Sequence, residues 1–373
     1  MMLSPLDDYP LHQIAEVARR VGTSDRNFYD RYYFNCHRGA EDPFLILGHG
    51  QYPNLGVTDA FAVVRHGDEH IVVRASKALG ADRMDTSVGP FRIEVREGLR
   101  TLRVVLEPGE HDLAFDLTFE ADLPAHLESR QFQRQLERVV IDTQRFAQTG
   151  NWRGDLQVQG TEYRVEPGQW SGNRDRSWGV RPVGEAEPPG RRADTPHGGF
   201  FWIYTVMRFA EFAIVTIIQE DSEGRRTVED ATRIPADGSE PVWLGRPEHQ
   251  LTFAPGSRDI TEAKLVFHRP SGPELTVVCT PLLANYIGVG TGYGLEPDWR
   301  HGMWQGELAV QGLRRSVREI DVVTRALCPA DMLARFQLRG PGTEETGTGM
   351  FELGIIGPNE RYGFNGFDDM AAQ

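Results

Sequence analysis

Cysteine is scarce in this chain. Cys36, Cys279 and Cys328 stand far apart with no C-x-x-C spacing, a poor disulfide framework that fits a reducing compartment. Long apolar runs are lacking too, and no stretch approaches the length that spans a bilayer, so membrane insertion is not expected. The opening MMLSPLDDYPLHQIAEV carries acids and no apolar core, unlike a secretory signal, and a cytoplasmic protein is the expectation. Positive charge is in deficit. A formal net charge of −14 discourages binding to a phosphate backbone, and no nucleic-acid partner is expected. The patterns that announce a metal or nucleotide are missing: no H-E-x-x-H, no paired His/Cys spacing, no P-loop or Rossmann glycines. No G-x-S-x-G elbow is present either. Neither a metal nor a cofactor is therefore expected. GVGTGYG (288–294) follows no strand-to-helix context and reads as a flexible loop.

Glycine (40) and proline (23) are plentiful, which points to many turns rather than long helices. With 39% hydrophobic residues over 373 positions, the chain can bury a sizeable interior and has room for two cores. Strand patterning dominates from about residue 44. Leu113, Phe115, Leu117 and Phe119 alternate with Ala114, Asp116, Thr118 and Glu120, giving one dry face and one wet face. Phe91, Ile93 and Val95 alternate likewise with Arg92, Glu94 and Arg96. Hairpins are predicted around His66-Gly67-Asp68-Glu69, around Pro270-Ser271-Gly272, and within FWIYTVMRFAEFAIVTIIQEDSEGR. One helix is predicted in SPLDDYPLHQIAEVARRVG, with Leu11, Ile14, Ala15 and Val17 on one side and Gly22 as its stop. ESRQFQRQLERVVI reads as a polar loop entering a strand.

An internal echo suggests duplication. QTGNWRGDLQVQG (148–160) and RHGMWQGELAVQG (300–312) share a tryptophan, three glycines and an L-x-V-Q-G ending, a domain's length apart. The Pro/Gly-rich tract between them reads as a linker. The expected organisation is therefore an N-terminal β-domain over 1–184, a linker over 185–197 and a similar C-terminal β-domain over 198–373. Short strands must hide their edges, which a sandwich or closed barrel does.

The segment GNRDRSWGVRP resembles the G-x-x-D-[HR]-x-W element of the superfamily that contains carotenoid 1,2-hydratases (hydroxyneurosporene synthases) and AttH-like proteins. NFYDRYYFN, LGHGQYPN, VGPFRIEV and HGMWQGELAVQG are similar to one branch of it, and the likeness runs over nearly the whole chain. The resemblance implies an all-β fold with few short helices: two tandem lipocalin-like antiparallel β-barrels. It also implies an apolar ligand handled without metal or nucleotide, as in hydratases that protonate an isoprenoid double bond and pericyclases that shape a polyene. One position departs from the pattern. Arg176 stands where histidine is more frequent, and a guanidinium, always protonated, does not shuttle protons.

The candidate residues divide into chemistry and walls. Asp175 lies between Arg174 and Arg176. Protonating an alkene needs a carboxyl kept neutral, whereas a cation within ~4–6 Å lowers an Asp pKa by ~1–3 units. Asp175 is therefore read first as part of a structural ion pair with Arg174 and Arg176, and second as a catalytic acid. His49 and Asp59, in the polar loop LGHGQYPNLGVTD, and His301, which the other copy of the echo lacks, are the further catalytic candidates. Tyr33, Tyr52, Asn54, Trp178, Trp202, Tyr204 and Trp304 are the ligand-binding candidates, since an amphipathic ring offers both an apolar wall and a polar tip. The expected partner is an apolar small molecule of isoprenoid, steroid or polyketide type, in a barrel or an inter-domain pocket. Cofactor-free hydration, elimination or isomerisation at a C=C bond is the favoured activity. A carrier or sensor and a carbohydrate-binding β-module are the rivals. The enzyme predicts a cavity with at least one carboxyl or His lacking a cationic partner. The carrier predicts walls without one, and the sugar binder a shallow groove floored by Trp.

Overall fold

The computed structural model describes residues 4–39, 41–183 and 198–373. The expected linker at 185–197 lies outside the described residues. The chain is all-β, built of two curled antiparallel sheets that each form a half-barrel.

The two sheets repeat one topology. In the first, strand Phe28–Arg38 lies between Glu41–Tyr52 and Ser171–Val180, and the latter pairs with Arg138–Val158. In the second, Phe200–Arg208 lies in the same way between Phe212–Glu220 and Thr343–Ile356, and the latter pairs with Ala330–Gly340. The duplication thus exists in strand order, but the sequence echo does not mark it. Gly150–Val158 belongs to a long inner strand whose topological counterpart is Ala330–Gly340. Residues 300–307 form a loop, and Leu308–Ser316 is an edge strand hydrogen-bonded to Glu69–Ala78 of the first sheet. A segment from 198–373 therefore completes the sheet of the other half.

The three predicted hairpins form, across Gly67, across the 269–274 turn and between Phe200–Arg208 and Phe212–Glu220. The N-terminal helix does not. Only a 3-10 turn at Pro5–Asp8 is present. Asp7 accepts from Ala18 N (2.7 Å) and pairs with His12 (2.9 Å), folding the segment into a loop. Leu11 and Ile14 stay exposed, and so short an amphipathic helix with no surface to cover is marginal. The expected polar loop near 131 is a strand, Gln131–Gln135, hairpinned to Arg138–Val158.

Each sheet wraps its own apolar core. The first encloses Phe34, Leu47, Val104, Phe119 and Trp152, and the second Phe201, Ile214, Leu265, Phe336 and Phe351. Each such fully buried side chain contributes about 1.5–3 kcal/mol. Trp152 packs edge-on against Phe34 and Phe119 and donates Nε1–H to the Asn35 carbonyl (2.8 Å). The 21-residue strand Arg138–Val158 bends at Gly154. There φ is +134° and a Cβ would lie 2.0 Å from the Asp116 carbonyl oxygen, so only glycine fits. Because successive side chains alternate, the outward faces are also apolar, and the sheets pack back to back. Tyr33 and Ala147 meet Trp202, Tyr204, Val206 and Met350, while Phe44, Ile46, Phe61 and Val63 meet Leu282, Leu283 and Leu333. Buried apolar side chains line each barrel interior, and an open space lies between the sheets.

Candidate active site

A cavity of about 330 Å³ sits at this back-to-back junction. Tyr32, Tyr33, Arg31, Arg145, Asp175, Ser177 and Arg181 line it from the first sheet, and Phe200, Trp202, Asp331, Met350 and Glu352 from the second. Tyr293, from the GVGTGYG segment, and Ile287 close one side. The volume suits a small-molecule site.

Strand register explains the carboxyls. Tyr33 lies directly opposite Asp175, and in the matching strands of the second sheet Tyr204 lies opposite Glu352. Directly opposed residues share a face, so each half presents one tyrosine–acid pair to the junction. Asp331 lies opposite Glu352 on the next strand, and the two acids share that face. Alternation sends Arg174 and Arg176 to the other side. Arg174 donates to Gln148 Oε1 (2.7 and 2.9 Å), while Arg176 pairs with Asp30 and covers the Tyr32 ring. The expected Arg174–Asp175–Arg176 ion pair is therefore not formed. Among the described residues no Arg or Lys is within salt-bridge reach of Asp175, Asp331 or Glu352.

Their environment keeps these acids protonated to unusually high pH. Burial pushes Asp175 up to about 6, against an opposing pull from the Arg145 charge. Burial likewise lifts Glu352 to about 7 although Arg145 and a hydrogen bond from Trp202 favour its ionised form. Asp331 is 1% exposed and is held well above the carboxylate range, by burial and then by the neighbouring Glu352 charge. Tyr33 donates its hydroxyl proton to Asp331 Oδ2 (2.6 Å), while Oδ1 has no partner. All three line the cavity, and Asp331 is the most deeply buried of them. Arg145 is neutralised by the buried Glu128 (2.6 Å) and lies over the Tyr204 ring (3.9 Å). Glu128 also accepts from the Tyr204 hydroxyl (2.8 Å).

The other predicted residues fall in three places. Trp202 and Tyr33 line the cavity, and Tyr204 braces its wall. Asp59, His301 and Tyr52 come together in a chain behind it. Tyr52 donates to Asp59 (3.2 Å), Gly302 N–H donates to Asp59 Oδ2 (2.8 Å), and His301 Nδ1 faces the same oxygen (3.4 Å). His301 Nε2 lies 3.2 Å from Arg31 Nη2. Burial and the Arg31 charge hold His301 down at about 4. The ring is thus neutral, with its proton assigned to Nδ1 toward Asp59 and Nε2 accepting from Arg31. Burial opposes the Asp59 charge, but His301, Arg31 and the Gly302 N–H outweigh it and keep the carboxylate ionised. Gly302 has φ +75°, and a Cβ there would lie 2.9 Å from the Tyr52 ring.

His49, Asn54, Trp178 and Trp304 stand apart from the cavity. His49 points to the barrel interior beside Tyr32, with burial holding it at about 4. Asn54 tethers the N-terminal segment through the Thr23 and Asp25 carbonyls (2.8 Å each). Trp178 faces a separate groove under that segment, and Trp304 is 48% exposed in a loop. Sequence reasoning missed Arg31, Arg145, Asp331, Glu352 and Tyr293. A signal existed for Glu352: a lone acid in the apolar run MFELGII, on a strand buried on both faces, is where a charge has no structural reason to be. Among the described residues no group of three or more His, Cys, Asp and Glu is arranged to hold a metal ion, and the three cysteines are buried and free. No helix among them is long and apolar enough to cross a membrane.

The same fold occurs in solved structures. Kievitone hydratase from Nectria haematococca matches with a TM-score of 0.53 at 16% identity, over 87% of this chain and 88% of that one. A protein from Nitrosomonas europaea assigned as AttH matches with a TM-score of 0.54 at 12% identity, over 87% and 92%. CghA matches with a TM-score of 0.54 at 12% identity, over 88% of each chain. The AttH-like architecture expected from the GNRDRSWGVRP segment is thus the architecture found. No curated protein sequence matches the chain. A family model does, over residues 3–365, and the chain belongs to that family, described as a family of unknown function (DUF8625).

Proposed function

We propose that this protein is a cofactor-free, hydratase-like enzyme acting on a carbon–carbon double bond of a largely apolar small molecule held between the two sheets. The observation that carries this reading is the set of three carboxyls, Asp175, Asp331 and Glu352, facing one cavity with no cationic partner among the described residues. Unpaired ionisable groups in an apolar wall are costly, and perturbed acids cluster where proton transfer is needed. The name of the Nectria protein, a hydratase, weighs in the same direction.

Two of the three acids divide the work by their proton affinities. Glu352, at about 7, is half protonated near neutrality and serves as the acid. Its proton passes to one alkene carbon, forming a C–H bond and leaving a cation on the other. The face of Trp202 stabilises that cation. Asp175, at about 6, is mostly ionised and takes a proton from the water that adds to the cation. A C–O bond forms, and the balance is alkene plus water to alcohol. Both acids then exchange protons with solvent, and the reverse sequence is elimination. Burial and the neighbouring Asp175 charge keep the proton affinity of Glu352 high, and Tyr33 holds Asp331 in place.

A carrier would have no use for three unpaired acids, and Trp178 and Trp304 lie in different places, one lining a groove under the N-terminal segment and the other exposed in a loop. The test begins with mass spectrometry of small molecules that co-purify with the protein. Incubated with wild type in heavy-oxygen water, the ligand gains one water oxygen, and with Glu352→Gln it does not. A ligand returned unchanged by both proteins means a carrier.

A further inference from the structure

We propose that Arg31 is the receptor for an acidic group of the bound molecule, so that the ligand of the inter-sheet cavity is an organic anion with an apolar body. The word substrate for that anion rests on the catalytic reading above; its binding does not.

Arg31 is 5% exposed, and it lacks the strong acceptors that hold the neighbouring arginines of the first sheet. Arg145 meets Glu128, Arg176 and Arg83 meet Asp30, and Arg174 meets Gln148 Oε1. Arg74 is held by Gln311 and the Gly290 carbonyl. Arg31 hydrogen-bonds through its side chain only to a neutral imidazole nitrogen (3.2 Å) and the Tyr293 hydroxyl (3.4 Å), both through Nη2, and lies over the Tyr293 ring (5.2 Å). Among the described residues its Nε and Nη1 have no acceptor, and no carboxylate is within salt-bridge reach. A guanidinium held at one nitrogen only leaves donors free for a ligand, and its planar fork suits a carboxylate or enolate.

Its place in the fold points the same way. Arg31 borders both the carboxyl-lined cavity and an adjoining one of about 540 Å³, and Arg181 and Tyr293 border both with it. Asp59 stabilises the Arg31 charge from a distance, with the neutral His301 between them orienting Arg31, and no carboxylate oxygen touches the guanidinium. Asp59 and His301, candidates for catalysis in the sequence, are thereby positioning residues. A ligand whose acidic group meets Arg31 lays its apolar body toward Phe200 and Trp202, with its double bond near Glu352.

The test compares farnesoate with farnesol by isothermal titration calorimetry. A charge-assisted hydrogen-bond pair predicts that wild type binds the acid about 10- to 100-fold more tightly than the alcohol. Arg31→Gln is expected to abolish that preference while changing farnesol affinity little, and His301→Gln to reduce it. Equal affinity of wild type for acid and alcohol overturns the proposal without any variant, as does a preference that survives Arg31→Gln. If neither farnesyl compound binds, the apolar reading of the cavity fails, and cinnamate against cinnamyl alcohol decides the anion receptor separately. Cinnamate binding alone upholds it, and absence of binding by both overturns it.

Discussion

Replacing Glu352 by glutamine removes an ionisable group that the fold prefers to keep neutral, and the consequence is a pH-dependent gain in stability. Glu352 is held at about 7 against an ordinary 4.5. Each tenfold change in proton affinity is about 1.4 kcal/mol, so this carboxyl carries about 3 kcal/mol of linkage between folding and protonation. The folded state binds the proton more tightly than the unfolded chain. Its contribution is therefore fully present below the ordinary carboxyl pKa and is lost as pH rises through about 7. Above that point wild type must either bury the charge left by the lost proton or hold the proton against its falling concentration, and the glutamine variant does neither. Urea unfolding at about pH 4 and about pH 8 reads the difference. The variant is expected to match wild type at the lower pH and to exceed it by about 2–3 kcal/mol at the higher. An offset that does not change with pH, or a variant weaker than wild type at the higher pH, refutes the reasoning.

Other perturbations follow from the same geometry. Asp175→Asn at about pH 8 should be no less stable than wild type, because burial raises the acid's pKa and no ion pair is lost; a marked drop in melting temperature would restore the ion-pair reading. Arg145→Met leaves Glu128, 1% exposed at its side chain, without its counter-charge, and should cost about 3–5 kcal/mol in urea unfolding. Adding Glu128→Gln should recover much of that loss, and an unrecovered loss would mean that Arg145 acts through packing alone. Gly302→Ala forces a side chain into a left-handed conformation against the Tyr52 ring, lowering stability by about 1–2 kcal/mol; an unchanged melting temperature would show that the Asp59–His301 chain tolerates displacement.

The fold was legible wherever alternation and turns were local. The strand at Leu113–Ala121 and the hairpin at Gly67 are written in a few neighbouring residues each. The echo around Trp152 and Trp304 misled because identical residues serve a core strand in one place and an exposed loop in the other; strand order, which needs the whole chain, reveals the real repeat. The N-terminal helix failed because periodicity records an apolar face but not whether anything covers it. At the site, Asp175 stood out in its motif, but its sequence neighbours suggested the wrong partners. Strand geometry carries Arg174 and Arg176 to the opposite face and brings Glu352 and Asp331 from far along the chain. Tyr52, Asp59 and His301 were legible as polar residues out of place, while their common object, Arg31, was hidden in an aromatic strand.

The proposed chemistry requires that acids of the inter-sheet cavity titrate near neutral pH rather than in the ordinary carboxyl range. Isotope-edited NMR of the Asp and Glu side-chain carboxyls, followed as a function of pH, measures this directly. A resonance titrating at about 7 that disappears in Glu352→Gln, with another at about 6 that disappears in Asp175→Asn, is the predicted result. A spectrum in which every carboxyl is ionised by about pH 5, as ordinary solvent-exposed acids are, would contradict it.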